Sequence, residues 1–338
     1  MARDPVWSDV GPAAPAADGG AAVVGEAAGW SVYGDAFDPG FGNSAAFELD
    51  ESGNTVLAEG RDGHVTPAPP TGAVPLCFID GRRRVELGLW AEQAGTGRRV
   101  AGLAGAYAVG AVTIPPGRPA RFAGVRIGRV AIWGGGRSGD IAARHGYHWV
   151  SASTVAEDPA VILANLQERM RRAEGNLALD AAGCGWNVVL DGPLNRIRSL
   201  HQLVTGYVKS HSSRLLPEEA HAAVPGLAVG ARTPVYAVGD DRYTCYVRVG
   251  EARRAESPWT GIARLQFPAV AGLASVVARA DLLAAMLPRY AGARHRDPRA
   301  PVNLTPVKNL EEHLSRMLGP IELATRAARE ALAPRAVP

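Results

Sequence analysis

Val188-Val189-Leu190-Asp191-Gly192-Pro193-Leu194 decides how this chain is read. Three apolar residues run into an aspartate, and Gly-Pro then breaks the strand. A carboxylate at the carboxyl end of a buried strand costs desolvation energy unless a cation or hydrogen-bond donors compensate it. Open α/β sheets place their ligands at that end of their strands. Leu76-Cys77-Phe78-Ile79-Asp80-Gly81-Arg82 has the same form. Two hydrophobic strands each ending in Asp-Gly predict two carboxylates brought to one place, although either pair alone also reads as an ordinary strand-ending turn.

Working outward from 188–194, the segment before it is a helix. Asp158-Pro159 has the N-cap and N1 order of a helix start. Leu163, Leu166, Met170, Ala173, Leu177 and Ala181 then recur at helical spacing to about residue 182. At about 100° per residue, Glu174 falls at the edge of that apolar stripe and Glu168 on the opposite side. Arg169, Arg171 and Arg172 are read as covering the exposed helix face. The helix can therefore return Glu174 to the edge where Asp191 ends. Upstream, residues 73–80, 84–92, 100–114 and 122–133 read as strands, and the glycine-rich loop 134–139 lacks the lysine and hydroxyl spacing of a P-loop. Downstream, 197–216 reads as partly helical. Strands follow at 233–238, 243–249 and 262–267, then helices at 270–286 and 307–332. An antiparallel start followed by helix-connected strands predicts an α/β fold, an RNase H-like mixed sheet flanked by helices.

The bulk properties exclude other classes. The chain has 338 residues, 47% hydrophobic and 20% charged, with a formal net charge of only +3, so any nucleic-acid role must rest on local arginine clusters. Cys77, Cys184 and Cys245 are scattered without metal-type spacing, as expected of a reduced compartment. The N-terminus lacks the apolar core of a signal peptide, and 100–114 is too short to span a bilayer, so no membrane role and a cytoplasmic location are expected. Residues 1–70, rich in Ala, Gly and Pro, read as an irregular N-terminal extension with the folded domain at 71–335. Aromatics there, such as Trp30, Tyr33, Phe37 and Phe41, are expected to pack on that domain.

Converging carboxylates repel, which raises a pKa or recruits a hard divalent cation, Mg²⁺ or Mn²⁺; a histidine ligand would favour Mn²⁺. His295 is the candidate, in a segment (288–299) with four arginines suited to an anionic ligand.

The set of motifs resembles the NurA nuclease family, an RNase H-like group. The resemblance is carried by Asp80-Gly81, by Arg172-x-Glu174 leading into Val189–Leu194, by Gly206-Tyr207-Val208-Lys209-Ser210 and by the Tyr290/His295 segment. Arg82 and Pro193 stand where serines commonly follow in the family. The resemblance covers roughly residues 73–320. It implies a Mn²⁺-dependent DNA nuclease acting on single strands and ends, a homodimer, working with a HerA-type hexameric ATPase. It also implies Asp80, Glu174, Asp191 and His295 as metal ligands, with Tyr290 as a site tyrosine. In that mechanism Lys209 contacts a phosphate, and Arg82, Arg83, Arg84, Arg196, Arg198, Arg294 and Arg299 follow the DNA backbone. Two alternatives remain open, an actin-like phosphotransferase binding ATP and a non-catalytic subunit docked on a DNA translocase.

Overall fold

The computed structural model describes residues 30–35, 55–194, 201–209, 214–254, 256–297 and 299–333. In chain order the strands are β1 (Trp30–Asp35), β2 (Thr55–Leu57), β3 (Leu76–Gln93), β4 (Arg99–Ile114), β5 (Arg121–Trp133), β6 (Ile141–Ala142) and β7 (His148–Ser153). Helix α1 (Pro159–Gly183) leads to β8 (Asn187–Asp191) and β9 (Val204–Val208). Then come α2 (Glu218–Ala223), β10 (Tyr236–Val238), β11 (Arg242–Arg248), β12 (Ile262–Pro268), α3 (Leu273–Met286), α4 (Thr305–Met317) and α5 (Ile321–Leu332).

The sheet is organised by β3. Strands expected separately at 73–80 and 84–92 are one, because β4 offers an antiparallel partner almost throughout, from Leu76 to Glu92, with a bulge between Val85 and Leu87. Asp80-Gly81 is therefore not a strand end. What ends there is the pairing on the opposite edge: β8 runs parallel to β3 only over Leu76–Ile79. That same edge of β3 is taken up again at Gly88 by β1, which runs antiparallel. Between the two pairings the edge of β3 has no strand partner among the described residues, which makes a notch in the sheet.

The order β5-β4-β3-β8-β9, with β3, β8 and β9 parallel and β4 reversed, is the expected RNase H-like core. β12, β11, β10 and β2 extend it antiparallel on one side, and β7 and β6 on the other. β9 corrects the partly helical expectation for 197–216. Its five residues are all buried, and Gly206 lies so close to the 192–194 turn that a Cβ there would stand 2.9 Å from the Gly192 carbonyl oxygen. Packing between two layers overrides the local helical pattern.

Alternation along the strands assigns the faces. Cys77, Ile79, Val188 and Leu190 pack on α1 through Met170, Leu177, Ala178 and Ala181. Leu76, Phe78 and Val189 pack on the other face with α3 and α4, against residues such as Leu283, Leu310 and Leu314. Asp80 and Asp191 follow Phe78 and Val189 by two residues, so they share the α4 face.

The irregular extension expected for 1–70 is corrected in two places. β1 joins β3, and β2 joins β10. Glu59 also accepts hydrogen bonds from the buried Arg232 guanidinium at 2.6 and 3.0 Å and from the Val235 amide at 2.9 Å, so this stretch is part of the folded unit. Phe37 and Phe41 lie outside the described residues. Among the described residues no helix is long and apolar enough to cross a membrane.

Candidate metal centre

Asp80, Asp191 and Glu311 each offer a carboxylate oxygen, and these oxygens all lie within 4.8 Å of one another at the notch. Asp80 comes from β3 beside the last parallel pair, Asp191 from the end of β8, and Glu311 from α4. The third member was missed in the sequence. Its signal was there: Glu311 lies on the stripe Val307, Leu310, Leu314 that α4 buries, at helical spacing, and a carboxylate on an apolar stripe needs a partner.

Glu174 reaches the same place from the opposite face of the sheet. It is fully buried on α1 and accepts a hydrogen bond from Arg171 Nη1 at 2.9 Å. The passage is made by glycine. A Cβ on Gly81 would stand 2.5 Å from Glu174 Oε1 and 2.9 Å from Met170 Cγ. Gly192, at φ +99°, would carry a Cβ 2.7 Å from Arg171 Nη2. The glycine of each Asp-Gly pair thus admits a side chain from α1, which is a stronger requirement than turning the chain. Leu194, just beyond, donates its amide to Gln266 Oε1 at 2.9 Å and holds the 192–194 turn against β12.

Cations and amides surround the acids. The Lys209 ammonium lies 2.8 Å from both Asp191 oxygens and donates to Oδ2, and it also donates to Asn303 Oδ1 at 3.0 Å. Asn303 in turn donates to Asp297 Oδ2 at 2.5 Å. Arg299 pairs with Glu311 at 2.7 and 3.0 Å. Arg171 donates to the Asp191 carbonyl oxygen at 2.6 Å as well as to Glu174, so its predicted role as a surface-covering arginine is corrected. Helix geometry alone could not show that its side chain turns along α1 toward the notch.

Burial, then the charges of Asp191, Glu174 and Glu311, hold Asp80 well above the usual aspartate range, with Lys209 opposing. Burial also raises Glu174, against the pull of Arg171. Among the described residues the buried Glu174 Oε1 has no hydrogen-bond donor, and Asp191 Oδ1 has only the Lys209 ammonium near it, at 2.8 Å. Crowded acids, with the proton affinity of Asp80 and Glu174 raised and one oxygen left without a donor, are the donor set a hard divalent cation would satisfy.

The other expected site residues divide. His295 is exposed in the turn at 294–296 and is not in the carboxylate cluster; its segment instead delivers Asp297, Arg299 and Asn303. Tyr290 packs edge-on to Phe78, ring centroids 5.3 Å apart, in the hydrophobic core. Arg84 binds Glu86 and the carbonyls of Leu318 and Gly319, where it secures the end of α4. Arg294 is held by Glu256 at 2.9 and 2.8 Å. Arg82 is exposed, and Arg83 donates to Gln167. Arg196 and Arg198 lie outside the described residues.

The chain is similar to a solved NurA structure. The match is to the crystal structure of the NurA nuclease from Sulfolobus solfataricus, with a TM-score of 0.41 and 10% identity over 75% of this chain and 85% of that one. No family model matches the sequence, and no curated protein matches it.

Proposed function

We propose that this chain is a metal-dependent DNA nuclease that hydrolyses phosphodiester bonds at the notch between β3 and β8. The observation that carries the proposal is the juxtaposition of Asp80, Asp191 and Glu311, with the buried Glu174 carboxylate, one of its oxygens without a donor, beside them. The motif resemblance and the RNase H-like strand order point the same way.

Asp80, Asp191 and Glu311 would hold the cation, with Glu174 next to them. A divalent ion bound there would supply Lewis-acid stabilisation of phosphoryl charge and make water a stronger nucleophile at neutral pH. The donor set is all oxygen. With His295 outside it, the preference for Mn²⁺ has no nitrogen ligand behind it, and Mg²⁺ and Mn²⁺ are equal candidates. Glu311 takes the role that the resemblance implies for His295.

The chain's own residues do the rest. Lys209 balances Asp191 and places an ammonium where a phosphate oxygen would enter. The buried Asp297–Asn303 pair fixes the acceptor that orients Lys209. Although burial raises it, Asp297 is kept below the usual range by Asn303 and by the amide and charge of Arg299, so it stays ionised to hold that amide. Arg299 restrains Glu311 from outside. The homodimer, the HerA-type ATPase partner and the preference for single strands and ends follow from the resemblance and belong to the proposal on that ground; the cytoplasmic location belongs to it on the ground of three free cysteines.

The test is degradation of single-stranded and duplex DNA with Mg²⁺, with Mn²⁺ and with EDTA, by the wild-type chain and by Asp191→Asn. Cleavage that requires the cation and falls at least about 1,000-fold in the variant is expected, since each ligand acts on transition-state charge. Circular dichroism checks that the variant is folded. Cleavage that survives EDTA, or that Asp191→Asn retains, overturns the proposal. Measuring both with and without a HerA-type ATPase separates inactivity from a missing partner.

A further inference from the structure

The α1 side of the notch carries two guanidinium groups, one paired with Glu174 and the other without an acid partner among the described residues. Arg171 uses Nη1 for both Glu174 and the Asp191 carbonyl. Its side chain keeps 24% of its surface exposed, and Nη2 makes neither of these two bonds. Arg83 lies two residues beyond Gly81 on the same face of β3 and donates Nε to Gln167 Oε1. Gln167 and Arg171 are one turn apart on α1 and are therefore neighbours on the helix surface.

Arg83 has a neutral amide where an acid would quench it. Among the described residues no carboxylate pairs with it. Burial first, and then the charge of Arg171, pull the Arg83 pKa down, which places the two cations in one field. Arg171 is balanced by the Glu174 charge, but Arg83, half-buried beside it without an acid, carries a cost that an anion at its fork would offset. A guanidinium fork matches the paired non-bridging oxygens of a phosphate. The pair also lies beside the carboxylates, on the side of Gly81 and Gly192 opposite α4.

We infer that Arg83 and Arg171 form a two-guanidinium subsite for a nucleic-acid backbone phosphate next to the one cleaved, with Gln167 holding Arg83 in place. The inference rests on the nuclease reading and adds the direction the strand takes from the notch, along α1. Arg171 has two functions in it: Nη1 positions Glu174, and Nη2 meets the phosphate.

The experiment measures binding of the full chain to a fluorescent single-stranded oligonucleotide by anisotropy in EDTA, across a salt series. Each lost phosphate contact to a single strand lowers the slope of log affinity against log salt by about 0.7. Arg83→Gln is expected to lower the slope by that amount and weaken binding several-fold. Its thermal shift with Mg²⁺ or Mn²⁺ should equal that of the wild type. Arg171→Gln is expected to lower the slope equally and also to diminish the cation shift, because Glu174 loses its donor. Wild-type slope and affinity in Arg83→Gln overturn the inference, even where Arg171→Gln does not fold. A wild-type chain that does not bind the oligonucleotide overturns it too. Cation-independent or absent cleavage with both slopes reduced sinks the nuclease reading and leaves the subsite standing.

Discussion

Asp80→Asn should stabilise the metal-free protein while destroying its response to a divalent cation. Asp80 is 5% exposed, and its oxygen lies within 4.8 Å of oxygens from Asp191 and Glu311. At that separation, and an effective dielectric constant of about 20, two carboxylates repel by roughly 3.5 kcal/mol. Lys209 offsets part of this, so removing one charge should return about 1–3 kcal/mol. For a chain of this size that is a rise of roughly 2–8 °C in Tm. The amide retains the shape and can donate to the neighbouring carboxylates. The sign with pH follows from burial, which with the neighbouring acids raises Asp80 in the folded state. A raised carboxyl contributes stability that is complete below the unfolded value of about 3.9 and is lost as pH rises through the folded value. The gap between variant and wild type should therefore be small near pH 4 and widen toward pH 8. Thermal melts in EDTA across that range, repeated with Mg²⁺ and Mn²⁺, read both effects. A variant that melts below the wild type at every pH, or a gap that does not widen, would refute the charge-repulsion account. So would an undiminished cation shift in the variant.

Two further substitutions separate the site from its scaffold. Gly81→Ala places a methyl 2.5 Å from Glu174 Oε1, so Glu174 must move; cation affinity by calorimetry should fall about tenfold or more, with an overpacking cost of about 1–3 kcal/mol seen in denaturant unfolding. Affinity equal to wild type would show that Glu174 is not needed at the centre. Glu59→Ala leaves Arg232, fully buried, without its main counter-ion and should cost about 3–5 kcal/mol in the same unfolding assay. Its cation affinity should be unchanged, because Glu59 ties β2 to the far edge of the sheet.

Much of the architecture was legible in the chain because it rests on short-range pattern. The strands around 76–80 and 187–191, the capped helix α1 and the closing helices all follow from local periodicity and punctuation. Asp80 and Asp191 were legible for the same reason, as charges placed where apolar strands stop being apolar. Local pattern failed where a distant partner decided. The Asp80-Gly81 step reads as a strand end, yet β4 carries the strand through it. Residues 204–208 read as partly helical, yet parallel pairing with β8 and close packing of Gly206 make them a strand. Trp30–Asp35, set in a composition that buries little, is held by the upper edge of β3.

The site divides along the same line. The sequence by itself determined that two apolar strands each deliver a carboxylate where the apolar run stops, since alternation and burial are properties of each strand alone. Only the tertiary structure decided which acids and bases meet them. α4 presses on the Asp80 and Asp191 face and brings Glu311, while α1 presses on the opposite face and sends Glu174 and Arg171 through gaps that Gly81 and Gly192 leave. The segment that carries His295 arrives as well, but turns outward at 294–296 and contributes Asp297 and Asn303 from its buried part. Which side chain of a segment enters a site depends on how that segment packs, and packing is set by residues far away in the chain.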